Sequence, residues 1–595
     1  IINFKFKKNK KVGFNGSVSG GVSAAKNPKT NSALSLNFRN KNFNLFSNYS
    51  NNYSINEMNM RLIRVQNDTL YDQKNKMVNS GWVNNLKAGA DWFVSKRSTI
   101  GFIATTNFNS TTFTTKSDAP IAAMINGKLI KTLHANNTLP SDTRNINYNL
   151  NYRYADSIGR ELNFDADYGM FKSKKTSFQP NGYYSPVPEI LLTRHDTRNN
   201  TPSNIKIYTA KLDYETNLFK GKFGTGVKFS QVNSDNQFDF YNVLNGYDYI
   251  NLGGSSNFIY KENINAGYVN YNRALGRKIN IQAGVRVENT NSRGILTRAD
   301  GLYQENTNVK RNYTNLFPSA AFTFNASSNH SFNLNYSRRI DRPNYQDLNP
   351  FENKLNELSY QKGNPFLRPA YTNNYQLTHT FKYRYITSIS YSKVTDFIAQ
   401  LLDTTASNQS YINKKNISQD LFNINFSLPF QITKWWSLYA NINIFNSKYK
   451  ALLASGERIN LEVNSGSIFG QNTFTLGDGF TGELSGFYNA PSVWAGTFKS
   501  IAMGGMDVGI QKKIFKDKGN VKISYTDFLG TMRWKGESSY SGAKTIASGN
   551  WESQQFRINL TYRFGSSQIK QARQRVIGSE EESKRAKDSN GGFGN

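Results

Sequence analysis

The sequence predicts an all-β protein: a transmembrane, antiparallel, up-and-down β-barrel of about 22 strands with short periplasmic turns and long extracellular loops. Three observations lead there. The first is unbroken period-two alternation, seen most plainly in NINYNLNYRY, residues 145–154. Ile146, Tyr148, Leu150, Tyr152 and Tyr154 share one face of that strand, and Asn145, Asn147, Asn149, Asn151 and Arg153 share the other. The second is composition. Only 37% of the residues are hydrophobic, and no run approaches the ~18 apolar residues that a spanning helix requires. A helical membrane protein is thereby excluded, whereas a barrel needs apolar residues only at alternate positions. The third is the rhythm of the connections, in which every second one is tight.

Taken in order, outward-running strands are expected at 12–24, 42–65, 97–110, 160–174, 221–234, 277–291, 328–339, 386–402, 433–448, 478–490 and 519–533. Returning strands are expected at 31–39, 82–94, 144–155, 205–218, 257–273, 310–325, 371–383, 411–428, 458–474, 501–515 and 550–564. Strand 160–174 contains ELNFDADYGM, where Leu162, Phe164, Ala166, Tyr168 and Met170 oppose Asn163, Asp165, Asp167 and Gly169. Strand 411–428 contains LFNINFSL, with Phe422, Ile424, Phe426 and Leu428 on one face. Strand 550–564 ends in FRINLTYRF, with Arg557, Asn559, Thr561 and Arg563 on the polar side. Charge falls on the polar side only, because a lysine or arginine facing mid-membrane lipid costs about 2–4 kcal/mol. The apolar faces are therefore expected to meet lipid, and the polar faces a watery lumen. The turn DSIGR lets Arg153 and Asp165 approach as a solvated lumenal pair.

The tight connections include RNKN near 40, SKRS near 96, DSIGR at 156–160, KGK at 220–222, ALGRK at 274–278 and KDKGN at 516–520. The alternate connections are long, as at 66–81, 111–143, 175–204, 235–256, 292–309, 340–370 and 534–549. A soluble sandwich has no reason for that asymmetry, and its strands average about 5–6 residues. The 14% aromatic content suits interfacial girdles.

With 73 Lys and Arg against 41 Asp and Glu, the chain carries +32. These charges are spread evenly, without the clustered stripe of a nucleic-acid binder, so no nucleic acid is expected as a partner. They suit solvated loops, a wet lumen and the anionic lipid and lipopolysaccharide of an outer membrane. There is no cysteine, which removes disulfides and thiolate chemistry. His134, His195, His330 and His379 are far apart in sequence, without metal-ligand spacing. GKFGTG at 221–226 opens a strand rather than a helix and makes no phosphate cradle. No cofactor, no metal and no enzymatic activity are called for.

The loops QPNGYYSPVPEILL and YNVLNGYDYINLGG hold the candidate ligand contacts: Tyr183, Tyr184, Tyr247 and Tyr249. Tyrosine gives a large contact area at low entropic cost. Residues 565–595 break the alternation, are highly charged, and are expected as a mostly disordered periplasmic tail. The domains are then a junction at 1–11, a barrel at 12–564 and the tail at 565–595. The opening IINFKF reads as a mature or trimmed start.

Residues 336–377 carry a denser motif: Arg342-Pro343, then Asn349-Pro350-Phe351, then Gly363-Asn364-Pro365 and Pro369. This stretch, expected in a long external loop, resembles the signature of TonB-dependent receptor-like outer-membrane proteins of the Bacteroidota. IINFKFKKNKKVGFNGSVSGG resembles that family's junction between plug and barrel, and LTYRFGSSQIKQAR its last strand and tail. Where that motif often closes on Glu, this chain has Ala370. The resemblance implies a multi-pass protein of the cell outer membrane. It also implies uptake of a siderophore, glycan, peptide or metal complex, driven by a TonB-type energy-coupling protein acting through a plug N-terminal to these residues. All 595 residues are assigned to wall and tail, so either a plug lies upstream or something else fills the bore. The alternative is a non-transporting structural barrel in an outer-membrane assembly or secretion complex, with protein or lipoprotein partners.

Overall fold

The computed structural model describes residues 12–302, 307–405, 409–452, 456–494, 498–540, 542–569, 573, 575 and 577–586. The expected junction at 1–11 lies outside them. Twenty-two strands form a closed antiparallel wall. Closure is made by Gly13–Ala24, which pairs with Pro28–Arg39 on one side and with Gln555–Gly565 on the other. A closed wall leaves no edge strand unpaired, which is the condition for crossing lipid with β-structure.

The alternation is oriented as the sequence predicts. On the strand Leu129–Ala155, Tyr148 and Leu150 are 43% and 51% exposed, whereas Asn149 and Asn151 are 2% and 3% exposed. Greasy side chains outside and amides inside invert the arrangement of a soluble protein. Phe556, Ile558 and Leu560 repeat it on the closing strand. At the periplasmic rim the rings gather: Phe43 stacks on Trp92 at 6.3 Å, and Trp435 and Trp436 lie within about 6 Å of Phe474. Trp436 keeps its Nε1–H bonded to Asn472 at 2.9 Å, so the apolar body faces lipid while the polar edge is satisfied.

The periplasmic turns are tight for identifiable reasons. Phe219 and Lys220 both adopt positive φ (48° and 60°), the signature of a two-residue primed hairpin turn whose twist matches the strands it joins. In DSIGR, Asp156 Oδ1 accepts the Ile158 and Arg160 amides, and Arg160 Nε closes the turn on Oδ2 at 2.6 Å.

The expected long connections at 66–81 and 111–143 are for the most part strand. Phe43–Gln66, Thr69–Trp92, Ser98–Ala123 and Leu129–Ala155 run 24 to 27 residues, joined outside by Asn67-Asp68 and by residues 124–128. Above the lipid band both faces of the wall are wet, so hydrophobic alternation stops while the backbone ladder continues. Part of that tall wall is borrowed. Pro28–Arg39 covers only the lower half of Phe43–Gln66, and the hairpin Arg533–Tyr540/Ala543–Trp551 pairs with Met58–Gln66 above it.

Candidate functional site: the lumen and its mouth

The site is built from the inward face of the wall. Asn149 donates to Asp165 at 3.1 Å and to Asp167 at 2.8 Å, and Thr209 donates to Asp167 at 2.7 Å. The expected pair of Arg153 with Asp165 is not made. The register sets Asn151 opposite Asp165, and Arg153 reaches down to Glu161 in two bonds of 2.8 Å.

The segment between His330–Asp341 and Ala370–Phe381, expected as an external loop, folds back into the mouth of the barrel. It carries Tyr345, Leu348, Leu355, Leu358 and Leu367, all buried. The lumen is the near place where such side chains leave water. Tyr345, Leu348 and Leu367 pack with Phe171, Ile205, Ile207, Phe258 and Tyr260 of the wall. The loop then forms the hairpin Glu352–Asn356/Ser359–Lys362, whose second arm pairs in parallel with Ser410–Asn413. Asn356 bonds Ser117 at 3.1 Å, Ser359 bonds Gln73 at 3.2 Å, and Asn137 bonds the Lys354 carbonyl at 3.2 Å. Contacts from strands far apart in sequence thus fix a bridge across the mouth.

The signature residues shape this bridge. A Cβ at Gly363 would lie 1.8 Å from the Asn349 carbonyl oxygen, so only glycine admits that approach. Asn364 donates to the Lys414 carbonyl at 2.9 Å, and its Oδ1 accepts the Phe366 amide. Arg311 caps the Pro365 and Leu367 carbonyls. Phe351 lies 5.0 Å from Phe238. Arg342 is buried and bonds Glu288 at 2.6 Å and Thr290 at 2.9 Å. Burial works against its charge, but Glu288 and Glu262 outweigh this and raise its pKa above the ordinary arginine value.

The four candidate tyrosines occupy two settings. Tyr183 packs against Tyr71, Ala119, Ile121, Leu133 and Leu358, with Lys131 Nζ 4.3 Å over its ring. Burial, with Glu357 beside it, pushes its hydroxyl above the ordinary phenol range. Tyr184 meets His134 edge-on at 5.0 Å. Tyr247 and Tyr249 stand in the short strand Tyr247–Ile250, both exposed.

The histidines, distant in sequence, are not all isolated. Pairing of His330–Asp341 with Ala370–Phe381 brings His330 Nδ1 to 3.0 Å from His379 Nε2. His134 lies between Asp118 (2.6 Å) and Glu189 (2.9 Å). Among the described residues, no group of three or more His, Cys, Asp or Glu is arranged to hold a metal ion.

The C-terminal segment departs furthest from expectation. Read as a disordered periplasmic tail, it has its described residues against the lumenal wall. Arg573 donates to Asn151, and Arg575 pairs with Asp91 at 2.6 Å. The helix Glu580–Ala586 follows, with Lys228 to Glu582 at 2.8 Å, Arg342 to Glu581 at 3.2 Å and Arg585 to Glu262 at 2.5 Å. Its signal was present in SEEESKRA, acidic in the first turn and basic in the last, which complements the helix dipole. The polar face of NINYNLNYRY thus meets protein as well as solvent: Ser583 bonds Asn147 at 3.1 Å.

Beside the helix a cavity of about 1700 Å³ remains. Asn48, Asn79, Asn85, Asn107 and Asn145 line it, together with Met77, Phe113, Trp534 and Trp551.

A family model described as an outer membrane protein beta-barrel family matches residues 153–562, more than half of the chain. The chain belongs to this family. As an outer-membrane β-barrel protein it is a multi-pass protein of the outer membrane. No curated protein matches it. Solved structures share its fold at low identity. The siderophore receptor PirA from Pseudomonas aeruginosa aligns over 94% of this chain and 82% of its own, at 12% identity and a TM-score of 0.54. The copper transporter OprC aligns over 93% and 80%, at 10% identity and a TM-score of 0.62. The ferric-catecholate import receptor Fiu from K12 E. coli, in its closed form, aligns over 93% and 82%, at 10% identity and a TM-score of 0.60.

Proposed function

We propose that this outer-membrane barrel is a receptor-transporter that admits a polar solute from outside into its lumen. Its passage would be driven by a TonB-type energy-coupling protein. The observation that carries the reading is the amide-lined cavity of about 1700 Å³ enclosed by a lipid-facing wall. Rows of asparagine offer a donor and an acceptor at each step, which suits a solute exchanging hydrogen bonds as it moves. Phe113, Trp534 and Trp551 add apolar faces to the same cavity. The names of the solved structures that share the fold, two receptors and a copper transporter, support the same class. The solute class remains a siderophore, glycan, peptide or metal complex. Tyr183, Tyr184, Tyr247 and Tyr249 are proposed as contacts at the mouth, with exposed Tyr247 and Tyr249 meeting the solute first.

The test is accumulation of a ferric siderophore, an oligosaccharide, an oligopeptide and a copper complex by cells that express or lack the chain. At least one should accumulate faster with the chain present, and a protonophore should abolish the difference. Equal accumulation of all four sinks the reading. It would favour the structural-subunit alternative, which the bridged mouth and occupied bore also suit.

A further inference from the structure

We propose that the lumenal surface around Glu262, Glu288 and Arg342 is a binding site for a charged helical peptide. In this protein the chain's own C-terminal helix occupies it and narrows the bore. The proposal is independent of which solute crosses, or whether any does.

Three observations carry it. The first is charge order. The helix Glu580–Ala586 presents acid and then base, and the site presents base and then acid. Lys228 and Arg342 meet Glu582 and Glu581, and Glu262 meets Arg585. The Arg585 guanidinium also lies 4.3 Å over the Tyr345 ring and donates to the Pro343 carbonyl at 3.0 Å. The mouth loop and the helix therefore build one site from both ends of the bore. The second is burial. The side chains of Glu582, Arg585, Glu262, Glu288 and Arg342 are each no more than 6% exposed. Charges are not held so dry unless each has its partner, so an alternative occupant would have to supply the same order of charge. The third is the kind of contact. Among its described residues the helix brings one apolar side chain to the core, Ala586; it is held as well by ion pairs, hydrogen bonds and the Arg585 guanidinium over Tyr345. A segment held to the lumenal surface by charge behaves as a ligand bound to its receptor rather than as part of the wall.

Close approach supplies the test. A Cβ at Gly578 would lie 3.3 Å from Thr209 Oγ1 and 2.6 Å from Asp167 Oδ2, a carboxylate that loses its bond from Thr209 when that residue is replaced and can swing aside; the chain has no cysteine. The variant carrying Thr209→Cys and Gly578→Cys should therefore form a disulfide under mild oxidant in outer membranes, read by gel mobility and intact mass. Absence of the crosslink, in a variant whose circular dichroism shows a folded barrel, overturns the placement. The second arm is conductance in planar bilayers bathed in KCl. Arg585→Glu sets like charge against Glu262, so it should show larger conductance steps than the parent chain. Arg585→Lys should restore the parent's smaller steps. A synthetic peptide of residues 577–586, added to the Arg585→Glu variant, should reduce its conductance saturably. The same peptide with glutamate at the position of Arg585 should not. Equal conductance of the parent and Arg585→Glu, or equal block by both peptides, overturns the proposal.

Discussion

Single side chains in this wall are judged by which way they point. Leu150 faces lipid, so Leu150→Arg sets a guanidinium in hydrocarbon at a cost of about 2–4 kcal/mol near the midplane. Asn107 lines the cavity, and Asn107→Lys should change stability by no more than about 0.5 kcal/mol. Denaturant unfolding from lipid vesicles measures both, and equal effects would contradict the assigned faces. Arg153 and Glu161 make a half-exposed pair at the lower wall, so Arg153→Ala should cost under about 1 kcal/mol by the same measurement. Gly363 is the opposite case. An added Cβ would lie 1.8 Å from the Asn349 carbonyl oxygen, so Gly363→Ala should displace the mouth bridge at a cost of about 1–3 kcal/mol. The expected readout is protease cleavage between 342 and 369 in an otherwise intact barrel. A bridge as resistant as the parent's would remove the packing explanation of the Gly-Asn-Pro motif.

Among the elements, the C-terminal helix makes a prediction about pH. Burial raises the pKa of Glu581, but Arg342, Lys228, Arg585 and Arg286 around it outweigh this and hold its carboxyl below the ordinary range. A depressed carboxylate contributes its full docking energy above the unfolded value of about 4.3 and loses it as pH falls through the folded value. A spin label on the helix should therefore stay immobile from neutral pH down to about 5 and loosen only in stronger acid. Loosening near neutral pH would point to a different determinant. This helix also shows where sequence reading stops. Wall strands were legible because lipid on one side and water on the other impose a two-residue period. NINYNLNYRY and FRINLTYRF show that period directly, and the alternating tight connections set the strand count. The upper halves of Phe43–Gln66 and Ser98–Ala123 were not legible, because water on both sides imposes no period. The helix and the mouth loop were missed for another reason. Their partners, Glu262, Glu288 and Gln73, lie 54 to 323 residues away, and no local pattern announces a contact of that range. The His330–His379 approach was hidden likewise until the strands were paired.

At the scale of the whole molecule, the claim is a cylinder with lipid outside and protein and water within, and its tryptophans report on it directly. Trp82 and Trp92 stand exposed on the outer face of one strand, and Trp435 is exposed at the periplasmic rim. Trp534 and Trp551 line the cavity within. Lipids brominated on their acyl chains quench indole fluorescence only on contact, so the outer set should be quenched and the inner pair spared. Trp92→Phe should then lower the fraction of emission that brominated lipid removes. Trp534→Phe should raise it, because the residue lost was beyond the quencher's reach. Iodide in the aqueous phase should act in the reverse sense on the cavity pair wherever the bore admits it. The two substitutions must move the quenched fraction in opposite directions if the wall separates the two sets. A shift in the same direction for both would mean that indoles assigned to the lumen touch lipid, and the inside-out assignment on which the cavity, the bridge and the docked helix all rest would fail with it.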